Sequence, residues 1–311
     1  MVLDTPAAEY VAERQREGAP TPDALTVAEL RASERLGRDR YGAGPEMAWV
    51  EDLSMPVDRG RVRVRILYPV DEPETLVLYM HGGGWVTGEI EDYEALLRTL
   101  ASEAGCAIAI VEYRKAPEHR FPVAAMDAIA AYHHIPAHVE SKLGRPVSVV
   151  VAGDSAGANL AAVVAQFTLR GSSPTPTRQI LIYPVLDCTF TTPSYQDPHN
   201  QLLLTKGCMQ WYWDQYVPSH VDRSNVMASP GRAGDLAGSP PTLLVAAEHD
   251  VLRSEGETYV RRLREQRVPV SYDVYKGQIH GFFSLHNVLP ASSVARKAVV
   301  QFVRNGRITS D

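Results

Sequence analysis

Residues 147–167 read VSVVVAGDSAGANLAAVVAQF and place one serine between an apolar run and an alanine-rich segment. The apolar run predicts a strand buried on both faces, and the segment 156–170 predicts a helix. Gly153 and Gly157 flank Ser155 with residues that carry no side chain, as a sharp strand-to-helix turn requires. G-x-S-x-G in this context is typical of a strained turn that exposes a nucleophile, so Ser155 is the candidate nucleophile. The alternative is an ordinary glycine-rich turn with a capping serine.

The same alternation of strand and helix extends on both sides of this segment. Short apolar runs predict further buried strands, and helical segments lie between them, with Pro136 expected to end one helix after His133 and His134. This order predicts an α/β fold with a mostly parallel, twisted sheet and helices on both faces. The predicted strands are 76–80, 107–111, 147–152, 180–183 and 243–247, and the predicted helices are 90–103, 122–135, 156–170, 252–266 and 290–304.

Two segments alternate strictly between apolar and other residues and predict strands of a different kind. Residues 61–66 place arginines on one face, which is typical of an outer, antiparallel strand with one solvent-exposed face. Residues 268–274 predict a last strand at the other end of the sheet. Because an edge strand can pair with a second copy, this position leaves a homodimer open.

A second glycine-rich segment, HGGGW at 81–85, directly follows the predicted strand 76–80. Consecutive glycines expose backbone N–H groups without obstruction by side chains, which a preorganised oxyanion hole requires. The alternative is a flexible loop. His81 is expected to shape this loop through hydrogen bonds.

Composition and charge exclude several classes of protein. The 311 residues carry a formal charge of -6, which disfavours a nucleic-acid partner because phosphate binding needs clustered basic side chains. No apolar stretch is long enough to span a membrane, and the acidic first residues do not resemble a signal peptide, so a cytoplasmic protein is expected. Cys106, Cys188 and Cys208 form no C-x-x-C pair with metal or redox spacing. We expect no metal and no organic cofactor.

The sequence resembles the hormone-sensitive-lipase-like family of the α/β hydrolases over nearly its whole length. This family has the α/β-hydrolase fold and hydrolyses carboxylic esters. Asp250-Val251 and Ser254 depart from the Asp-Pro and second Asp that are frequent in the family, but the acid itself is retained. The resemblance rests on HGGGW at 81–85, EYRKAPEH at 112–119, GDSAG at 153–157, YPVLD at 183–187, EHDVLRSEG at 248–256 and HGF at 280–282, in that order.

The resemblance implies a catalytic triad of Ser155 as nucleophile, His280 as general base and acid, and Asp250 as the group that orients the imidazole. Asp250 follows the predicted strand 243–247 and His280 follows the last strand, so both fall at the carboxyl edge where sites form in open α/β sheets. Asp154 and Glu118 are expected to be structural. The implied oxyanion donors are the amides of Gly83, Gly84 and Ala156.

The resemblance also implies a helical cap over the acyl pocket. Thr5-Pro6 and a capping box of Thr26 and Glu29 predict two early helices, and one further helix is predicted near 205–217 in a turn-rich stretch. The domain assignment is therefore N-terminal cap helices at 1–45, catalytic core at 46–187 and 239–311, and second cap segment at 188–238.

Bulky aromatic residues beside the motifs and in the cap are candidates for substrate contact. Trp85 and Phe282 adjoin catalytic motifs, and Trp213 lies on the apolar face of the predicted cap helix. They predict a short pocket for a small-molecule ester with a short- to medium-chain acyl group. Two alternatives stay open: an amidase or an N- or O-deacetylase with the same triad, and a ligand-binding module without turnover.

Overall fold

The computed structural model describes residues 2–171 and 173–306 and contains an eight-stranded sheet in the order β1-β2-β4-β3-β5-β6-β7-β8. The second strand runs antiparallel to both its neighbours, and all other neighbours pair in parallel. The strands are β1 (Trp49–Val57), β2 (Gly60–Tyr68), β3 (Thr75–Met80), β4 (Ala107–Glu112), β5 (Ser148–Asp154), β6 (Arg178–Ile182), β7 (Thr242–His249) and β8 (Val270–Ile279).

Helices cover both faces of the sheet. Alternate residues of β3 show this division, since Leu76 and Leu78 join the core under α4, α5 and α8, whereas Val77 joins the core under α1, α3 and α9. The predicted fold class is thereby confirmed. The helices are α1 (Thr5–Arg16), α2 (Val27–Leu36), α3 (Ile90–Ala104), α4 (Val123–Leu143), α5 (Ala156–Arg170), α6 (Pro193–Gln196), α7 (Lys206–Tyr216), α8 (Arg253–Glu265) and α9 (Pro290–Asn305).

The sheet has one strand that the sequence pattern did not reveal. The strand predicted as outermost is β2, and β1 pairs with its free side in an antiparallel ladder. Two adjacent acids, Glu51 and Asp52, together with Pro56 weaken the strand pattern of β1. An edge strand tolerates such residues because one side of its backbone needs no partner strand.

Helix α4 continues beyond the position where Pro136 was predicted to end it. Pro136 lacks the N–H group that would bond to the carbonyl of Tyr132, which normally interrupts a helix. Ile135 and Val139, on either side of the proline, are both buried in the core. Burial of this face stabilises the longer helix, so His133 and His134 lie within α4 and not at its end.

The region assigned to the N-terminal cap divides into two parts. The first helix, α1, begins at Thr5 as predicted, and the Asp4 side chain caps it by accepting from the Ala7 amide at 2.9 Å. It packs against the core, where the Asp4 amide also donates to Gly277 O of β8 at 3.2 Å. The predicted capping box of α2 is present. Among residues 2–45, only those from α2 onward line the cavity described below.

The segment predicted as a second cap contains α6 and α7 together with short 3₁₀ turns. The apolar face of α7, predicted from its aromatic spacing, is buried in the core. At the start of α7, the Cys208 thiol lies 3.3 Å from a carboxylate oxygen of Asp23, so the two cap segments touch. No helix within the described residues is long and apolar enough to cross a membrane.

Candidate active site

Three side chains at the carboxyl edge of the sheet form one hydrogen-bonded chain. Nε2 of His280 lies 3.0 Å from Oγ of Ser155, and Nδ1 lies 2.7 Å from Oδ2 of Asp250. Each of the three is the first residue after a strand, β5, β7 or β8, and these strands run parallel. Since a carboxylate only accepts, Nδ1 carries the proton and Nε2 is left to accept from the serine hydroxyl.

The turn at Ser155 is strained and tightly packed. Ser155 has φ of 54° and ψ of -117°, a conformation that side-chain-bearing residues rarely adopt. A Cβ atom on Gly153 or Gly157 would lie 2.5 or 2.0 Å from the carbonyl oxygen of Met80. The two glycines therefore allow the turn to pack directly against the end of β3. The strained backbone conformation lies at Ser155, whose hydroxyl must be exposed.

The carboxyl group of Asp250 is fixed on both oxygens. It is 1% exposed, and Oδ1 accepts a hydrogen bond of 2.9 Å from the Leu252 amide while Oδ2 faces His280. The Tyr183 ring packs against the imidazole with 4.6 Å between centroids. Sequence reasoning assigned Tyr183 no role, although the motif YPVLD begins with it at the same edge of the sheet.

The glycine loop lies beside the serine and adopts conformations that favour glycine. Gly83 and Gly84 have φ of 101° and 59°, and both line one cavity with Ser155. The Gly83 carbonyl accepts from the amides of Val86 and Thr87, so it faces into the loop. Ala156 is the first residue of α5, where helix N–H groups have no partner within the helix.

Asp154 and His81 hold the glycine loop. The Gly82 amide donates to Oδ1 of Asp154 at 2.9 Å, and the Tyr79 hydroxyl donates to the same oxygen. Burial raises the pKa of Asp154 to about 6, against the hydrogen bonds that favour its charged form. Burial lowers the pKa of His81 to about 3, so its neutral ring donates from Nδ1 to Gly82 O at 2.7 Å. Asp154 thus links the serine turn to the glycine loop, a structural role as predicted.

The cavity in front of Ser155 has a volume of about 230 Å³. Both predicted cap segments contribute to its wall, α2 through Glu34 and α7 through Met209 and Tyr212. The Tyr212 ring lies so close to Gly84 that a Cβ atom there would be 2.1 Å from Cδ1. Val185 and Leu204 extend the apolar side of the wall.

The structure does not bring the three predicted substrate-contact aromatics to this wall. Trp85, Trp213 and Phe282 are all 0% exposed and are absent from the residues that line the cavity. Trp85 has φ of 60°, and its ring stacks on Tyr216 at 4.5 Å and meets Trp213 edge-on. Phe282 packs against the rings of Tyr183 and Tyr275 on the opposite face of the sheet. The burial of large aromatic rings in the core determines where these side chains lie, and nearness in sequence to the motifs does not.

Glu255 is a buried carboxyl group next to the loop after β6. Its Oε2 accepts from the amides of Leu186 at 2.7 Å and Asp187 at 2.8 Å. Burial nevertheless raises the pKa of Glu255 from 4.5 to about 8. The folded protein therefore binds this proton more tightly than the unfolded chain, and the free energy of unfolding falls as the pH rises from 4.5 toward 8.

The variant Glu255→Gln, which cannot ionise, is expected to flatten this pH dependence. Wild-type Tm should fall between pH 6 and 8 by about 2 °C per pH unit more than that of the variant, since one proton corresponds to about 1.4 kcal/mol per pH unit. Differential scanning calorimetry at several pH values measures both slopes. Glu257→Gln, on the exposed side of α8, is the control. Equal slopes for Glu255→Gln and wild type would show that the pKa of Glu255 is not raised by folding.

Known proteins share both the sequence and the structure of this chain. A family model described as the alpha/beta hydrolase fold matches residues 77–284. The carboxylic ester hydrolase LipN of Mycobacterium tuberculosis is 36% identical over 262 residues, covering 82% of this chain and 70% of LipN. Ethyl acetate hydrolase of Pseudomonas putida is 32% identical over 266 residues, covering 84% of each chain. The crystal structure of a hyperthermophilic esterase from the archaeon Pyrobaculum calidifontis superposes with a TM-score of 0.92 at 31% identity, covering 99% of this chain and 100% of that one.

The family match spans more than half of the chain and contains the serine turn and the glycine loop. The relatives named for ester hydrolysis match most of its length. These similarities agree with the order of the motifs along the sequence and with the sheet topology. The chain therefore belongs to the hormone-sensitive-lipase-like family of the α/β hydrolases and is a carboxylesterase.

Proposed function

We propose that this carboxylesterase hydrolyses short- to medium-chain esters through an acyl-enzyme intermediate on Ser155. The serine Oγ attacks the ester carbonyl carbon while Nε2 of His280 takes its proton, and Asp250 stabilises the imidazolium that forms. The tetrahedral oxyanion is stabilised by the amides of the oxyanion hole, Gly83, Gly84 and Ala156. The imidazolium then protonates the leaving alcohol, and a water molecule repeats the cycle to release the acid.

One observation carries this proposal: the continuous hydrogen-bonded chain from Ser155 through His280 to Asp250 opens onto the same cavity as the glycine loop. Nucleophile, base and orienting acid are all present, which disfavours a binding module without turnover. The name of the Pseudomonas putida relative, ethyl acetate hydrolase, also supports a small ester as the substrate.

Pre-steady-state kinetics test the acyl-enzyme step. With p-nitrophenyl butyrate in excess, a burst of nitrophenol close to one equivalent per active site is expected if deacylation is slower than acylation. Mass spectrometry of enzyme quenched at steady state should then find butyryl on the peptide that contains Ser155. Butyryl on another residue would contradict the proposal. Matched anilides and acetylated amines measured alongside would reveal an amidase or deacetylase instead, if they are cleaved faster than the esters.

The small cavity leads to a prediction about acyl length. A volume of about 230 Å³ lies below the roughly 300–1,000 Å³ of sites for drug-sized ligands. Each buried methylene contributes about 0.8 kcal/mol, or about fourfold in kcat/KM, until the apolar wall is reached. We expect an optimum at about four to eight acyl carbons and a decline for longer chains, which would strain the cap.

A series of monomeric p-nitrophenyl esters from two to twelve acyl carbons measures this dependence. Each ester is kept below its solubility limit, so that aggregation does not imitate a decline. A continued rise through the longest chains, with a jump in rate at an oil–water interface, would show a true lipase and overturn the pocket argument.

A further inference from the structure

The wall of the cavity in front of Ser155 contains acidic as well as apolar residues, and the acidic part is called its acidic side below. Glu34 of α2 and Asp92 of α3 line it together with Thr87 and Asp154. Neither lysine nor arginine occurs among the described residues that line this cavity. A negatively charged substrate group would therefore meet only like charges and hydrogen-bond partners on this side.

Most of these carboxyl groups are already engaged by the protein. Asp92 accepts from Nε of Arg38 at 2.6 Å and from the Glu89 amide at 2.8 Å. Asp154 is held by the glycine loop and two tyrosines. Glu34 accepts from the Thr87 hydroxyl at 2.9 Å and from the Gly88 amide, and it forms no salt bridge within residues 2–171 and 173–306. Since a carboxylate has about four acceptor sites, Glu34 keeps acceptor capacity for a ligand.

The basic residues near Glu34 are paired with other acids. Arg35 and Arg38 bind Glu89, and Arg38 also binds Asp92. The remaining two are Arg31, which binds Glu118 at 2.8 Å, and Lys115, which lies 3.6 Å from Glu112. A small recess is lined by Glu34 together with these charged residues: Arg31, Arg35, Arg38, Glu89, Asp92 and Lys115.

Aromatic rings line the same cavity as these carboxyl groups. Tyr41, Tyr93 and Tyr212 all contribute to its wall. Burial raises the pKa of Tyr41 to about 12 and that of Tyr212 well above 10, and the charge of Glu34 adds to both shifts. Glu34, Tyr41 and Tyr212 all line the same cavity. Tyrosine faces attract cations, above all quaternary ammonium groups, so rings and carboxylate favour the same class of ligand.

We propose that the acidic side of the cavity binds a positively charged ammonium group of the substrate, and that Glu34 selects esters that carry one. This inference rests on the proposed esterase function and names the substrate class of the same site. The carboxylate supplies the attraction, the tyrosine rings supply contact area, and the reacting carbonyl remains at Ser155.

Because Glu34 attracts a cation only when it is deprotonated, we expect the selectivity for cationic esters to depend on pH. Burial raises the pKa of Glu34 to about 7, and the charge of Asp92 adds to the rise. The Thr87 hydroxyl, the Gly88 amide and the charge of Arg38 oppose it. Below that pH the side chain is a neutral acid, and above it a carboxylate that attracts a cation. The preference for a cationic ester should therefore grow as the pH rises from 6 to 8.

Two esters of the same shape test the proposal. Butyrylcholine carries a quaternary ammonium, and 3,3-dimethylbutyl butyrate replaces its nitrogen with carbon. The readout is the ratio of kcat/KM for the cationic ester to that for the neutral ester, so effects common to both substrates cancel. We expect a ratio above one in the wild type at pH 8 and a drop of about tenfold in Glu34→Gln. Glu118→Gln, which removes an exposed carboxylate of the Arg31 pair outside the cavity, should retain the wild-type ratio.

Several outcomes would overturn the inference. A wild-type ratio of one or less, or an equal ratio in Glu34→Gln, shows that Glu34 does not select a cation. If the variant does not fold, the wild-type ratio measured from pH 6 to 8 decides, because a flat ratio contradicts the role of Glu34. Absence of hydrolysis of the neutral ester would count against the proposed function itself, whereas neutral hydrolysis without cation preference overturns only this inference.

Discussion

Replacement of Ser155 with alanine is expected to lower kcat/KM for p-nitrophenyl butyrate by a factor on the order of 10⁴ or more, with the fold retained. In the proposed mechanism the serine Oγ attacks the ester, and its removal leaves only the proposed oxyanion hole and substrate binding to accelerate the attack of water. Alanine fits the turn without added bulk, although the positive φ at this position stays unfavourable for any residue with a side chain.

The control for this variant lies on the same strand. Ser148 is the first residue of β5, at the end away from the cavity, where its hydroxyl lies 2.9 Å from that of Thr177. Ser148→Ala should keep wild-type activity, and circular dichroism should show both variants folded. If folded Ser155→Ala kept more than about a tenth of wild-type turnover, another group would have to be the nucleophile.

Asp250→Asn is expected to reduce kcat by about 10³–10⁴-fold while KM changes little. The carboxylate requires the proton of His280 on Nδ1, whereas an asparagine amide can donate to that nitrogen and favour the proton on Nε2. In that tautomer Nε2 cannot accept the serine proton. The substitution leaves the proposed oxyanion hole unaltered, so residual activity above that of Ser155→Ala is consistent with this role.

Asp58→Asn is the matched control, because Asp58 has an 80% exposed side chain in the turn between β1 and β2. The two variants change the same chemical group inside and outside the site. Retention of kcat within about tenfold of wild type by folded Asp250→Asn would show that a different residue orients His280.

Much of the fold follows from patterns that extend over a few neighbouring residues. The buried strands β3 to β7 and the serine turn lie close to their predicted positions. A run of apolar residues, a glycine or a capping box determines the backbone structure of the residues next to it, so these elements can be predicted from short stretches. The predictions that missed concern competition with distant contacts. Pro136 does not end α4 because burial of its neighbours supports the longer helix, and β1 exists because β2 offers it a backbone partner.

The candidate site shows the same division between local and distant contacts. Ser155, Asp250 and His280 could be chosen from sequence because their motifs resemble those of a known family, and the predicted strands before them supported the choice. In the structure each directly follows a strand, and parallel strands bring their carboxyl ends to one edge. Which side chains line the cavity could not be chosen in this way. Whether a ring such as Trp85 faces substrate or core depends on its backbone angles and on partners such as Tyr216, which are distant in sequence. Glu34 reaches the cavity only because α2 packs over the glycine loop, an arrangement that tertiary contacts alone decide.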